Sequence, residues 1–177
     1  MLRSALALLV RVVVTVVLLP VLLLFWVGRR LFGRANIVDF TPDDEGMAAA
    51  IGEARATVAE FIARIAAPEG IEYPSVKVSL PVESGGGEHV WLSDARFEDG
   101  MFIGTIGNVP QRAVGFRDGE LLRARPEEIS DWSYVEDGRL VGGYTIRYIR
   151  SRMSPRDRKR LDAGLPFRIE EATAVVA

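Results

Sequence analysis

Val76-Lys77-Val78-Ser79-Leu80-Pro81-Val82-Glu83 marks the point where the apolar period of the chain changes. Val76, Val78, Leu80 and Val82 alternate with Lys77, Ser79, Pro81 and Glu83. That pattern predicts a half-buried strand, and the outward proline predicts a place at a sheet edge. Upstream the period is helical: Met47, Ile51, Ala54, Val58, Phe61, Ile62 and Ile65 recur at spacings of three and four. They predict one amphipathic helix over residues 44–67, stopped by Pro68 and Gly70. Thr41 or Asp43 is its expected cap. Asp43, Asp44 and Glu45 fall in its first turn, where carboxylates complement the helix dipole; a carboxylate metal cluster is the alternative reading.

Downstream the pattern is one of hairpins. Ser84 to Glu88 is a glycine-rich turn followed by strand, so it faces no helix start and is not a phosphate cradle. His89–Phe97 is expected to pair with Met101–Gly107 through Glu98-Asp99-Gly100, and Arg112–Arg117 with Glu120–Arg125 through Asp118-Gly119. Ile129–Val135 is expected to pair with Arg139–Arg150 through Glu136-Asp137-Gly138. In that last strand Tyr144, Ile146 and Tyr148 would alternate inward. The first and third hairpins align, Leu92-Ser93-Asp94 matching Ile129-Ser130-Asp131 and Phe97 to Gly104 matching Val135 to Gly142. Either shared turn chemistry or a duplicated unit closing a small barrel accounts for this. Ser154-Pro155-Arg156-Asp157 starts a final helix that Gly164 and Pro166 end.

The first residues form a different object. Val12 to Gly28 contains no charge, and Leu8 to Gly28 is long enough to cross a bilayer, with Arg11 near one end and Trp26 ahead of Arg29 and Arg30. An uncleaved anchor fits this length better than a secretory signal, which carries a shorter apolar run and small residues at a cleavage site. A buried core helix would need cover on all sides that so small a domain lacks. The positive-inside count is tied at three on each side, so both orientations stay open, and the tight grouping of Arg29, Arg30 and Arg34 tilts toward a cytoplasmic domain. With 49% hydrophobic residues the chain is globular rather than disordered, and part of that figure belongs to the apolar run. Five arginines and no acid lie in residues 1–34, leaving 17 basic against 24 acidic residues beyond. Such an acidic remainder is poorly suited to nucleic acid. The absence of cysteine excludes disulfides, thiolate nucleophiles and zinc-finger spacings.

The stretches Glu88-His89-Val90-Trp91-Leu92-Ser93, Phe102-Ile103-Gly104-Thr105-Ile106-Gly107-Asn108 and Ile129-Ser130-Asp131-Trp132-Ser133-Tyr134-Val135-Glu136-Asp137-Gly138, followed by Gly142-Gly143-Tyr144-Thr145-Ile146-Arg147, resemble the YegJ-type domain of unknown function. The resemblance covers about residues 71–169. It implies a bacterial α+β domain, hence a bacterial plasma membrane for the anchor, and no assigned activity. Where the family pattern has Glu-Pro after the Ile-Gly-Asn phrase, this chain has Val109-Pro110, so no role for an acid carries over there.

His89 is the single histidine, so any histidine mechanism must use it. On one strand His89 and Ser93 share a face about 13 Å apart while Asp94 points away, which disfavours a hydrolase triad. A metal site would have to recruit distant carboxylates. A hydrogen-bonded structural histidine and a general acid or base in a pocket are the remaining readings. Trp91, Ala95 and Phe97 are expected on the His89 face, with Trp132 and Tyr134 together on a later strand; such aromatics line recognition grooves or fill cores. Gly104, Gly107, Gly142 and Gly143 mark either bulges or the approach of a ligand to the backbone, with Asn108 and Asp131 on its rim.

The expected architecture is α+β. It comprises a transmembrane anchor within 1–34, a linker over 35–43, a helical spacer over 44–67, a domain over 71–169 and a tail over 170–177. The domain is expected to be a strongly bent antiparallel sheet or small SH3-like barrel of hairpins with a C-terminal helix. The expected function is a membrane-anchored binding module without catalysis, using His89, Trp91, Asn108, Asp131, Trp132 and Tyr144. The alternatives are an enzyme pairing His89 with carboxylates and a structural envelope-associated protein. Expected partners are the lipid bilayer through residues 8–28 and a protein of unknown identity; no cofactor, metal or nucleic acid is expected.

Overall fold

The computed structural model describes residues 44–107 and 110–170, so the apolar run at 8–28, the linker at 35–43, Asn108, Val109 and residues 171–177 lie outside the described residues. The elements are α1 (Glu45–Ala56), α2 (Val58–Ala66), β1 (Ile71–Pro81), β2 (Gly87–Glu98), β3 (Met101–Ile106), β4 (Leu121–Ala124), a 3-10 turn (Pro126–Glu128), β5 (Ile129–Glu136), β6 (Arg139–Gly142), α3 (Tyr144–Arg152) and α4 (Pro155–Ala163). The strands form one antiparallel sheet in the order β4-β3-β2-β1-β5-β6. Together with the helices this is an α+β fold. Among the described residues no helix is long and apolar enough to cross a membrane.

The alternation at Val76, Val78 and Leu80 does what the sequence indicates: all three are buried, facing Val90 and Leu92 of β2 and the helix layer. At the centre of that layer Phe61 is fully buried, its ring stacked against Trp132 at 5.1 Å, Phe102 at 5.8 Å and Tyr134 at 6.2 Å. Offset stacks of this kind add to the hydrophobic burial of each ring. Trp132 also donates its indole N–H to Ala54 O at 2.9 Å and to Thr57 Oγ1 at 3.2 Å. Thr57 separates α1 from α2, so the expected single helix is two. The break occurs where the Thr57 hydroxyl turns back onto Glu53 O at 2.8 Å and the indole takes the Ala54 carbonyl. Asp44, rather than Thr41 or Asp43, caps α1, accepting from Met47 N at 3.0 Å.

Several strand expectations are corrected. β1 lies in the sheet interior, not at an edge, because Pro81 is its last residue and its missing N–H removes no internal ladder bond. Ala95 and Phe97 do not share the His89 face. Asp94, at φ 54°, forms a bulge with one extra residue between Ser93 and Arg96, and that reverses the parity so that Ala95 and Phe97 turn toward the core. A matching bulge at Tyr73, φ 54°, lies on β1 next to it. Arg112–Arg117 is not a strand; β4 pairs instead with β3. Tyr144–Arg152 is helix α3 rather than a continuation of β6, so Tyr144, Ile146 and Tyr148 do not alternate. The sheet has two ends, β4 and β6, and among the described residues no strand pairing closes it into an SH3-like barrel; the β6 side is bridged by Arg168. The two aligned turns share one conformation, with φ 52° and 75° at Asp99-Gly100 and 50° and 70° at Asp137-Gly138. Local Asp-Gly turn chemistry accounts for that likeness. The expected start of α4 is present, Ser154 Oγ accepting from Asp157 N at 3.2 Å ahead of Pro155.

Glu88 is 1% exposed, and its carboxylate accepts the backbone N–H groups of Gln111, Arg112 and Ala113 at 2.7, 2.7 and 2.8 Å. It therefore fixes residues 111–113 in a loop, where the hairpin pattern predicts a strand from Arg112. Burial alone would push this carboxyl up, but the three amides outweigh it and hold it below its ordinary value. Its contribution to stability is consequently full above the unfolded value of about 4.3 and is lost as pH falls through the folded one. Glu88→Gln is expected to cost roughly 1–3 kcal/mol at neutral pH and to flatten the acid limb of stability, read by urea titrations across pH. Gly142 has φ 69°, and a Cβ there would overlap the Trp132 carbonyl oxygen, whereas Gly119, φ 80°, faces open space. Gly119→Ala should cost about 1–2 kcal/mol of backbone strain, and Gly142→Ala distinctly more, measured by the same titration.

Candidate functional site

The face of the sheet opposite the Trp132 core carries a polar row. Trp91 on β2, Lys77 on β1 and Asp131 on β5 are direct register partners across three strands. One turn of register away, β5 contains an extra residue at Ser130, since Lys77 pairs with Asp131 but Val78 with Ile129. The bulge re-aims Ser130 so that its hydroxyl meets His89 Nδ1 at 2.8 Å. The same hydroxyl donates to Lys77 O at 3.3 Å. With that proton committed, His89 Nδ1–H is the donor to Ser130 Oγ, and Nε2 keeps its lone pair.

Asp131 is 0% exposed and accepts four hydrogen bonds: Oδ1 from Trp132 N at 2.8 Å and Tyr144 N at 3.1 Å, Oδ2 from Thr145 N at 2.8 Å and Thr145 Oγ1 at 2.6 Å. Tyr144 and Thr145 are the first two residues of α3, whose N-cap is Gly143, with no side chain to offer. A strand carboxylate thus caps a helix that lacks its own cap, at the end where the dipole favours an anion. Lys77 Nζ donates to Thr145 Oγ1 at 3.1 Å and lies 5.6 Å from the Trp91 ring centroid. That places the ammonium between a buried acid and an aromatic face.

Burial dominates the electrostatics of this group. It pushes Asp131 up, against the opposing pull of the Thr145 donors and Lys77, and pushes Lys77 down, against the pull of Asp131. His89 is also lowered, first by burial and then by the positive charges of Lys77, Arg55 and Arg112. The imidazole therefore stays neutral further into the acid range than a free histidine. Chemically the row offers one aromatic plate, one ammonium and one neutral imidazole lone pair on an open surface. Among the described residues no group of three or more His, Asp or Glu side chains converges to hold a metal ion. A depression of about 360 Å³ lined by Gly115, Arg117, Asp118, Gly119 and Glu120 shares no residue with the row.

Of the residues singled out in the sequence, His89, Trp91 and Asp131 meet on this face. Trp132, 2% exposed, lies in the core, and Tyr144 packs edge-on against it at 5.7 Å. Asn108 lies outside the described residues. Lys77 and Thr145 stand outside that set. Lys77 carries a signal, as an outward residue of the alternating stretch at Val76 and one of only two lysines beside twenty arginines. Thr145 carries none, since the pattern around it predicts strand.

Removing one oxygen acceptor from Asp131 leaves buried donors unmatched. Asp131→Asn is expected to lose about 2–4 kcal/mol in urea unfolding and to speed hydrogen exchange at the Tyr144 and Thr145 amides. Lys77→Met should cost less, and the double variant less than the sum of both.

Comparison with known proteins places these features in a family. The model of a family described as an uncharacterized protein conserved in bacteria, DUF2314, matches residues 44–167, a span that takes in α1 and α2 as well as the sheet. The uncharacterized protein YegJ of Escherichia coli is 35% identical over 104 residues, covering 59% of this chain and 67% of that protein. A putative ankyrin repeat protein of Neisseria meningitidis serogroup B is 33% identical over 103 residues, 55% of this chain and 40% of that one. No solved structure matches. The stretch from the Asp44 cap through Phe167, with the Trp91, Lys77 and Asp131 row inside it, is a DUF2314 domain, and this chain belongs to that bacterial family.

Proposed function

We propose that the chain is a membrane-tethered interaction module that binds a protein partner on the outer face of β1 and β2. The observation that carries this reading is the half-exposed Trp91 ring, with Lys77 against it and exposed His89 two residues away on the same strand face. An amphipathic ring held in place by a neighbouring cation is the kind of anchor that recurs at the centre of interfaces. The tether is residues 8–28, whose length and charge pattern suit a single crossing of a bacterial plasma membrane. The neisserial relative is named a putative ankyrin repeat protein, and repeats of that kind present extended binding surfaces, which suits an interaction role for this domain. A His89-centred enzyme receives less support, because the partner of His89 is Ser130 and the charges acting on it are cations, with Asp131 engaged by three donors at the start of α3 and by the Trp132 amide.

The test is photo-crosslinking of the full chain in bacterial membranes, with the reactive residue at Ser79 on the sheet face or at Glu60 on the helix layer. Discrete adducts from Ser79, absent from Glu60 and lost in Trp91→Ala at unchanged thermal stability, are expected. Equal adducts from both positions, or adducts indifferent to Trp91, would overturn the binding face. Deletion of residues 8–28 should release the chain from carbonate-washed membranes; retention there would remove the tether.

A further inference from the structure

The charge of the domain is segregated. From Tyr144 to Arg168 the chain carries eight basic residues and two acids, whereas residues 35–143 carry nine basic residues and twenty acids. The basic stretch is the α3–α4 pair with the segment that follows it to Arg168, joined internally by the Arg150–Asp162 ion pair at 2.8 Å. Arg152, Arg156, Lys159, Arg160 and Arg168 are exposed, and none forms an ion pair with another described residue. Concentrating exposed cations on one helical pair of an otherwise acidic domain makes that patch attractive to an anionic surface.

The first described residues pack on α3 of the same pair. Tyr148 Oη on α3 donates to Asp44 Oδ1 at 2.6 Å, and Gly46 of α1 packs so closely that a Cβ would overlap the Tyr148 ring. Asp44 is held below its ordinary value, first by that hydrogen bond, with Arg152 adding to the effect. Asp44, the first described residue, therefore lies beside the basic pair.

We propose that the α3–α4 pair docks on anionic lipid headgroups of the membrane to which the chain is tethered. The proposal rests on the reading of residues 8–28 as an anchor. The fifteen residues from Arg29 to Asp43 reach at most about 50 Å when extended, which keeps the domain near that surface at high effective concentration. Basic side chains gain from a negatively charged leaflet over roughly a Debye length, so docking is salt-sensitive. The acidic remainder, repelled by the same leaflet, sets the orientation and turns the helical pair toward the lipid.

The absence of cysteine makes the test clean. The full chain, labelled at Ala163→Cys on α4 or at Ser84→Cys in the β1–β2 turn, is reconstituted in nanodiscs of phosphatidylcholine alone or mixed with phosphatidylglycerol. The label at 163, and not that at 84, should become protected from an aqueous quencher in the anionic discs. High salt should remove the protection, and Arg156→Gln/Lys159→Gln/Arg160→Gln should weaken docking on the order of a hundredfold. Equal quenching in both lipids, or protection that survives the triple substitution, overturns the proposal. So does a triple variant that loses duplex DNA binding while keeping its lipid response, which would assign the patch to nucleic acid. If the chain does not remain with the discs after an alkaline wash, the anchor reading fails. Salt-sensitive flotation of the same chain with phosphatidylglycerol vesicles then supports docking, and its absence overturns it.

Discussion

A carboxylate buried beneath the first turn of a helix has to be satisfied completely or not charged at all, and Asp131 meets that condition with four donors. Three parts of the molecule depend on it. It fixes where α3 begins, because Gly143 supplies no cap. It joins β5 to that helix across a segment in which Gly142 and Gly143 both have positive φ, a backbone that turns sharply enough to bring Tyr144 and Thr145 back over the strand. Through Thr145 it also positions Lys77, the one ammonium on the outer face of β1, against Trp91. Burial alone would favour a neutral acid and a neutral amine, whereas the amides of α3 favour the charged acid. The positive charge beside it restores part of what burial removes.

The other face is held by a different interaction that uses the adjacent residue. Trp132 points into the core, where its ring stacks on Phe61 and its N–H closes on Ala54 and Thr57 at the helix break. Because side chains alternate along a strand, one dipeptide, Asp131-Trp132, ties β5 to α3 on one side and to α1 and α2 on the other. The whole of β5 up to Val135 is buried as a result, which is unusual for a strand of an antiparallel sheet with one wet face. Val135 and Leu140 meet Phe167 and Ile169 in a second small cluster, so the C-terminal segment covers the side of the sheet that α3 leaves open.

How much of this the sequence discloses depends on whether a feature is local. The β2–β3 and β5–β6 turns, the cap of α4 and the inward set Val76, Val78 and Leu80 are decided by neighbouring residues, and each forms as its pattern indicates. The bulges at Tyr73, Asp94 and Ser130 are not visible as a change of residue type, yet each reverses the alternation after it. That is why Ala95 and Phe97 turn to the core and why Ser130 meets His89. Tyr144–Arg152 is rich in β-branched and aromatic residues, which favours strand by propensity; the buried anion at its start and its packing on α1 override that preference. Glu88 is equally hidden, since three backbone amides from residues 111–113 decide its burial and nothing near it in sequence announces them.

The candidate site follows the same division. His89 stands out as the single histidine, Trp91 as an aromatic and Asp131 by its place next to Trp132, but the sequence leaves open which of them share a face. Lys77 supplies the answer, since it is the register partner of both Trp91 and Asp131 and its side chain joins the two. Its replacement by arginine, the basic residue this chain uses almost everywhere else, would put a wide planar group where a compact ammonium fits between Thr145 and an indole face. A surface built this way is rigid beneath and open above. The acid that orders it is buried under α3, while the ring and the imidazole stay accessible, and that separation lets the outer face keep its shape with no ligand bound.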